Sequence, residues 1–318
     1  MNQKIRENLK KSKRYPHVKL EKASWLFKTI ERDQVDTYTD FENELAGFLA
    51  SFFIDKSGRL VEELKLFIDT QPDNANLVSY LRQNLQRLKS QTLLTRQDVS
   101  TLKEFYRELF DKSFDDGLEN SLVLKLVGFD VVDRVNKNTV ESETFINNSV
   151  EKTRFYTENF VDRVLEPNII KAAENDKLTV PSYIDDNITD TNYWAILSGN
   201  LVIKNYHLGY LSALSAIDVV TFEYKAVLDR RTTKICRSLD GQLFEVNPML
   251  QKLKNYFSSD PSSSVNGMQF ASRDYEDEVE AGNISRSELQ DAGIPLPGSA
   301  HPNCRSSLVG SNGQVFTA

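Results

Sequence analysis

The spacing of apolar residues changes near Ile217, and this change constrains the fold more than any other feature of the sequence. Between residues 34 and 170, and again from 190 to 214, most apolar residues recur at three- and four-residue intervals, which places them on one face of successive α-helices. From Val219 to Val227 the two faces of an extended chain differ in polarity, as they do in a half-buried strand. Residues 242–246 and 307–309 are predicted to be further short strands. The sequence therefore predicts an α+β fold, with a helix-rich N-terminal part followed by a small α+β C-terminal domain.

Local signals predict where the helices begin and break. Ser57-Gly58 interrupts the apolar spacing, which predicts a break between two helices. Thr95-x-x-Asp98 resembles a capping box and predicts the start of the next helix. Asp190 is predicted to cap the last long helix before the strand region.

The length and cysteine content bound the class of protein. A chain of 318 residues is long enough for two domains, and we expect a basic arm at 1–22, a helical domain at 23–185 and the α+β domain at 186–318. Two cysteines cannot form a disulfide framework, so a reducing compartment is expected. No run approaches the roughly 20 apolar residues that span a bilayer, and the start of the chain lacks the apolar core of a secretory signal. We therefore expect no membrane segment and synthesis in the cytoplasm.

The chain is acidic overall but basic at its N-terminus. Its formal net charge of −7 argues against a protein whose whole surface grips nucleic acid. Residues 1–22, in contrast, contain eight lysines and arginines against two glutamates. Lys10, Lys11, Lys13 and Arg14 are the densest part of this arm and are candidates for contact with DNA phosphates or with an acidic protein surface. A solvated terminus without a partner is the alternative interpretation.

Two polar segments near the C-terminus contain both cysteines of the chain and one of its three histidines. The first runs from Asp229 to Gly241 and the second from His301 to Arg305. Because each segment contains one of the two cysteines and both are rich in turn-forming residues, we expect them to meet in space. The candidate motif residues are Asp229, Arg231, Thr232, Cys236, Asp240, Gly241, His301, Pro302, Cys304 and Arg305.

A structural role suits these residue types. Asp229 follows the predicted strand and can accept backbone N–H bonds at its exit. Thr232 and Thr233 can cap a short helix that would contain Cys236. Asp240-Gly241 is a turn pair, whose glycine tolerates a positive φ. On this interpretation the two segments interlock and have no substrate.

Two chemical interpretations remain open for the same residues. Cys236, His301 and Cys304 are candidate zinc ligands, with Asp229 or Asp240 as a fourth, although the two close ligand pairs of most structural zinc sites are lacking. Alternatively, one of the cysteines is a nucleophile activated by His301, as in a thiol-dependent enzyme. The sequence around either cysteine carries no nucleophile motif. We therefore expect no cofactor, with zinc as the exception to be tested.

The order and spacing of the two segments carry a family resemblance. The pattern D-x-R-T-x-x-x-C-x-x-L-D-G-x-x-F, followed by H-P-N-C-R, resembles the C-terminal domain of phage head-morphogenesis proteins, the Mu F-like minor head proteins. The resemblance covers roughly residues 190 to 310. Ser306 departs from it, because family members often have a cysteine there.

This resemblance implies a function that the composition alone does not. It implies a minor head protein, a low-copy component of the virion that acts in head morphogenesis and in DNA packaging or delivery near the portal vertex, and not an enzyme. The implied partners are the portal protein, the major capsid protein or both, with packaged DNA as a further partner of the N-terminal arm. The competing hypothesis is a thiol- or metal-dependent enzyme that uses Cys236, His301 and Cys304.

Overall fold

A computed structural model describes residues 36–70, 77–119, 140–175, 180, 191–226, 232–262, 285, 288 and 306–311. Within these ranges the chain is rich in helix and has a three-stranded antiparallel sheet near its C-terminus, so the predicted α+β class is confirmed. The basic arm, Asp190 and the predicted domain boundaries at 22 and 185 lie outside the described residues and stay predictions.

Eight α-helices and three strands make up the described elements. The helices are α1 Asp36–Thr70, α2 Leu77–Gln91, α3 Arg96–Glu119, α4 Val140–Glu158, α5 Glu166–Asn175, α6 Thr191–Ala216, α7 Lys234–Leu239 and α8 Val246–Ser258, with a π-helical turn at Val161–Leu165 between α4 and α5. The strands are β1 Thr221–Lys225, β2 Leu243–Glu245 and β3 Ser307–Ser311. All three strands lie within or overlap the segments in which strands were predicted.

The predicted break at Ser57-Gly58 is wrong, because α1 continues through both residues. A glycine inside a helix costs only about 1 kcal/mol relative to alanine, and a 35-residue helix can absorb that cost through its packing. The Ser57 hydroxyl donates to the carbonyl oxygen of Ile54 at 3.4 Å, so it bonds within the helix and does not end it.

The predicted capping box at the start of α3 is confirmed. The Thr95 backbone N–H donates to Asp98 Oδ2 at 2.8 Å, and the Asp98 N–H donates to Thr95 Oγ1 at 3.2 Å. Each side chain thus satisfies a donor that the first helical turn leaves without a backbone partner. The aspartate completes the pair although glutamate or glutamine is the usual residue at this position.

The chain divides into two compact units, each assembled from segments distant in sequence. In their described parts, the first unit contains residues 43–94 and 156–195, and the second contains 37–42, 95–155 and 196–311. In the first unit, the rings of Phe53, Phe160 and Trp194 pack together, with centroid separations of 4.8 to 5.6 Å. An ion pair between Lys89 and Asp162, whose side chains are partly exposed, connects α2 to the π-helical turn.

The second unit is built around α6. Residues 197–211 of this helix are buried on every side, as in a helix at the centre of a core. The sheet has the order β2-β1-β3, so β1 lies between its two partners. In the register, Phe222 of β1 is opposite Phe244 of β2 and Gly310 of β3. The Gly310 N–H donates to the Tyr210 hydroxyl at 3.3 Å, so α6 supplies the hydrogen-bond acceptor for a backbone N–H of β3.

Candidate functional site

The described part of the first C-terminal motif begins with a capped helix. Thr233 is the N-cap of α7, and its Oγ1 accepts from the Cys236 N–H at 3.4 Å. Thr232 contributes its carbonyl oxygen, which accepts from Arg237 Nε at 3.2 Å. The helix is only six residues long, so its stability depends on such caps and on tertiary contacts. The cap fixes Cys236 in the first turn of α7.

The Asp240-Gly241 pair turns the chain from α7 into β2, as predicted. Gly241 has φ of +77°, a conformation that residues with a side chain adopt at a cost. Its N–H donates to the Tyr224 carbonyl at 2.8 Å, and Asp240 Oδ1 accepts from the Ala226 N–H at 2.8 Å. The turn is therefore bonded to the C-terminal end of β1 through both a backbone group and a carboxylate.

Cys236 is packed into this arrangement. Its side chain is 1% exposed, and its Sγ lies 3.2 Å from the hydroxyl of Tyr224, which is itself fully buried. A cysteine nucleophile needs a thiolate that a substrate can reach. In this geometry the thiol contacts the hydroxyl of Tyr224 on β1, so Cys236 contributes to the packing of α7 on the sheet.

The strand register bears on whether the two motifs meet. Lys225, the last residue of β1, is opposite Ser307, the first residue of β3. Asp229 follows Lys225 by four positions and Arg305 precedes Ser307 by two, so both motifs connect to the same end of the sheet. Six of the predicted motif residues lie outside the described ranges, and their contacts stay predictions. They are Asp229, Arg231, His301, Pro302, Cys304 and Arg305.

The metal hypothesis is likewise untested. Within the described part of the chain, no group of three or more histidine, cysteine, aspartate or glutamate side chains could hold a metal ion. Two of the three candidate ligands, His301 and Cys304, lie outside that part. Ser306 is 2% exposed and immediately precedes β3. The arm residues Lys10, Lys11, Lys13 and Arg14 also lie outside the described ranges.

Sequence reasoning missed a pair of buried lysines in the second unit. Lys152 of α4 is fully buried and Lys204 of α6 is 3% exposed. Burial lowers the pKa of Lys152 to about 8, although the charge of Asp260 acts in the opposite direction. Burial and the neighbouring charge of Lys152 lower the pKa of Lys204 to about 7. One signal was available in the sequence, since Lys204 is the only Lys, Arg, Asp or Glu in α6.

Comparisons with known proteins give no further assignment. No protein-family model, curated protein or solved structure matches the chain. Among the described helices, none is long and apolar enough to cross a membrane.

Proposed function

We propose that this protein is a phage minor head protein of the Mu F-like class, a low-copy component of the virion that acts near the portal vertex. The two C-terminal motifs, with their order and separation, are the basis of the proposal. The partners we propose are the portal protein, the major capsid protein or both, with DNA at the N-terminal arm. The protein would be made in the host cytoplasm and incorporated during head assembly.

The structural observation that supports a non-enzymatic role is the way in which the first motif is built into the sheet. Asp240 and Gly241 bond to the end of β1, and Cys236 is buried against Tyr224. These residues have structural partners that account for their chemistry without a substrate. This supports the hypothesis that the motif maintains the fold of a domain that contacts other proteins, which is the role expected of a head component.

The proposal is tested by quantitative mass spectrometry of purified, DNA-filled particles, with peptide abundance referenced to the portal protein. We expect a few copies per particle. Absence from particles, with the protein abundant in infected cells, would overturn the proposal.

The enzyme hypothesis is separated from it by substitution. Changing Cys236→Ser together with Cys304→Ser removes both thiols of the chain. A virion component without thiol chemistry would still be incorporated and the particles would remain infectious. If the protein is an enzyme, the double variant would lose its activity, whether it acts in the particle or in the cell. Normal incorporation with lost infectivity would therefore favour the enzyme hypothesis.

A further inference from the structure

Two buried lysines from different helices converge on one aromatic ring in the second unit. The Nζ of Lys152 (α4) lies 4.7 Å from the centroid of the Tyr256 ring, and the Nζ of Lys204 (α6) lies 4.4 Å from it. Tyr256 belongs to α8. The three side chains therefore join α4, α6 and α8 at one point.

Each amine also has a fixed hydrogen-bond acceptor. Lys152 Nζ donates to the carbonyl oxygen of Ser259 at 3.1 Å and to its Oγ at 3.3 Å. Ser259 is the C-cap of α8, where the carbonyl groups at the end of a helix favour a positive charge. Lys204 Nζ donates to Asn200 Oδ1, one turn earlier in α6, at 2.8 Å. The contact of Lys152 thus depends directly on the docking of the C-terminal end of α8.

Physical chemistry makes two charged amines in this place unfavourable. Removal of an ammonium group from water is costly, and a second positive charge nearby adds repulsion. A cation over an aromatic ring recovers only part of this cost. Two lysines held this closely in a core are therefore expected to lose protons at a pH where exposed lysines keep them.

We propose that Lys152 and Lys204 form a proton-controlled latch, which holds α8 closed on α4 and α6 when the amines are neutral and releases it when they are protonated. The proposal is independent of the function proposed above. It concerns opening of α8 within the second unit, where exposed amines would regain water and their ordinary affinity for protons.

The direction of the effect follows from the two pKa values. With α8 open, both lysines would have an ordinary pKa of 10.5, whereas in the closed state the pKa is about 8 for Lys152 and about 7 for Lys204. Opening therefore takes up protons, and the closed state is favoured as the pH rises from about 7 towards 10.5. Each lysine that takes up a proton on opening changes the equilibrium constant for opening by up to about tenfold per pH unit. Below about pH 7 both lysines are charged in both states, so the dependence levels off.

Other titratable or charged groups lie on the same elements. Asp260, which follows α8, favours the charged form of Lys152. Lys254 of α8 forms an ion pair with Glu141 of α4. His207 is buried on α6, in contact with the ring of Tyr206. The histidine is the main competing source of a pH effect near neutrality, so the test must separate it from the lysines.

Hydrogen exchange of the α8 amides, corrected for the intrinsic pH dependence of exchange, tests the latch. In the native protein we expect the protection of α8 to rise about tenfold between pH 7 and pH 8, mostly because Lys204 releases its proton and to a smaller extent because Lys152 begins to do so, and to level off below pH 7. The Lys204→Met variant keeps a long apolar side chain and should lose most of this rise, leaving roughly the twofold contribution of Lys152. A native protein with flat protection, or a variant that retains the rise, would overturn the proposal, and the latter result would assign the effect to another group such as His207.

Lys254→Met is the matched control. Lys254 also connects α8 to α4, but through a partly exposed ion pair. Its loss should lower the protection of α8 by a similar factor at every pH and leave the tenfold rise between pH 7 and pH 8 intact. Loss of that rise in the control would mean that any weakening of the α8 contact removes it, which contradicts a specific role of the buried pair.

A second measurement observes protonation in the native protein and uses variants only to assign the signals. Lysine labelled with ¹³C at Cε reports protonation by its NMR shift in the native protein, and Lys152→Met or Lys204→Gln assigns the two signals. We expect two resonances that titrate below about pH 9. If every lysine titrates above pH 10, the buried pair does not exist in the form described and the latch is excluded.

Discussion

At the scale of single residues, two glycines let α3 and α6 approach unusually closely. A Cβ added at Gly117 would lie 2.7 Å from the Tyr210 carbonyl oxygen, and one added at Gly209 would overlap Ser113 Oγ. The two helices therefore meet through pairs of small residues four positions apart, Ser113 and Gly117 on α3 and Gly209 and Ala213 on α6. In sequence these glycines are isolated and carry no motif, and only the packing explains them.

We predict that Gly209→Ala destabilises the protein by about 1–3 kcal/mol, because the added methyl group overpacks a contact between two helices. The measurement is the urea midpoint followed by circular dichroism. Gly58→Ala is the control, since a Cβ there meets nothing within 4 Å, and it should stabilise α1 by about 0.5–1 kcal/mol. If both changes have the same sign, the close contact between α3 and α6 is wrong.

The thiol of Cys236 provides a second residue-scale prediction. In the Cys304→Ser variant, Cys236 is the only cysteine. Because its side chain is 1% exposed, we expect it to react with a disulfide reagent about a thousandfold more slowly in the native protein than in the unfolded chain. Equal rates would show an accessible thiol and would favour the enzyme hypothesis over the structural one.

At the scale of elements, the C-terminal motif joins the short helix α7 to the central strand. A six-residue helix and a three-residue strand have little stability of their own. The carboxylate of Asp240 and the N–H of Gly241 both bond to the end of β1, so the turn between α7 and β2 is fixed to the strand beside them. Asp240, one of the candidate fourth ligands of the zinc hypothesis, thus stabilises a connection between elements.

We predict that Asp240→Ala destabilises the protein by about 1–2 kcal/mol, since the Ala226 N–H loses its acceptor. Asp240→Asn keeps an oxygen at the same place and should cost less than half as much. The free energy of urea unfolding is the measurement. Glu245→Ala is the control on the neighbouring strand, where the side chain is exposed and makes no cap bond, and it should stay within about 0.5 kcal/mol of the native value. Equal costs at the two positions would contradict the role of Asp240.

At the scale of the whole molecule, the two compact units are interleaved along the chain. The helices α3 and most of α4 belong to the second unit, together with most of α6 and the sheet. A truncation that removes everything before residue 180 would therefore delete two helices from the core that contains the C-terminal motif. Tests of which surface docks on a partner need surface substitutions in the full-length chain, because such a truncation would confuse loss of docking with loss of folding.

The basic arm gives a prediction for the protein as a whole. If the arm lies on DNA, changing Lys10, Lys11, Lys13 and Arg14 to Gln should weaken DNA binding and lower the slope of log affinity against log salt by roughly 3 to 4, since each phosphate contact contributes about 0.9. Fluorescence anisotropy across a salt series is the measurement.

A control with the same change in charge separates the arm from general electrostatics. Arg59, Arg82, Arg87 and Arg96 are exposed arginines outside the arm, and changing them to Gln removes four positive charges as well. If the control lowers the slope as much as the change in the arm, the arm is not the DNA contact.

The sequence by itself determined features that depend on near neighbours in the chain. The leucines of α2, the capping box at Thr95 and Asp98, the positive φ of Gly241 and the alternation from Phe222 to Lys225 in β1 all follow from local periodicity or local bonding. Local signals also gave the one clear error, at Ser57-Gly58, because a glycine lowers helix stability by an amount that packing along a long helix can offset.

Only the tertiary structure decided which distant residues share one environment. The approach of Gly209 to α3 and the convergence of Lys152 and Lys204 on Tyr256 depend on elements brought together from far apart in the chain. The burial of Cys236 against Tyr224, twelve positions away, depends on how α7 packs on β1. Desolvation and close packing are properties of that shared environment, since they depend on every group that surrounds a side chain. For this reason the sequence does not show that burial lowers the pKa of Lys204 or that Cys236 is part of the packing.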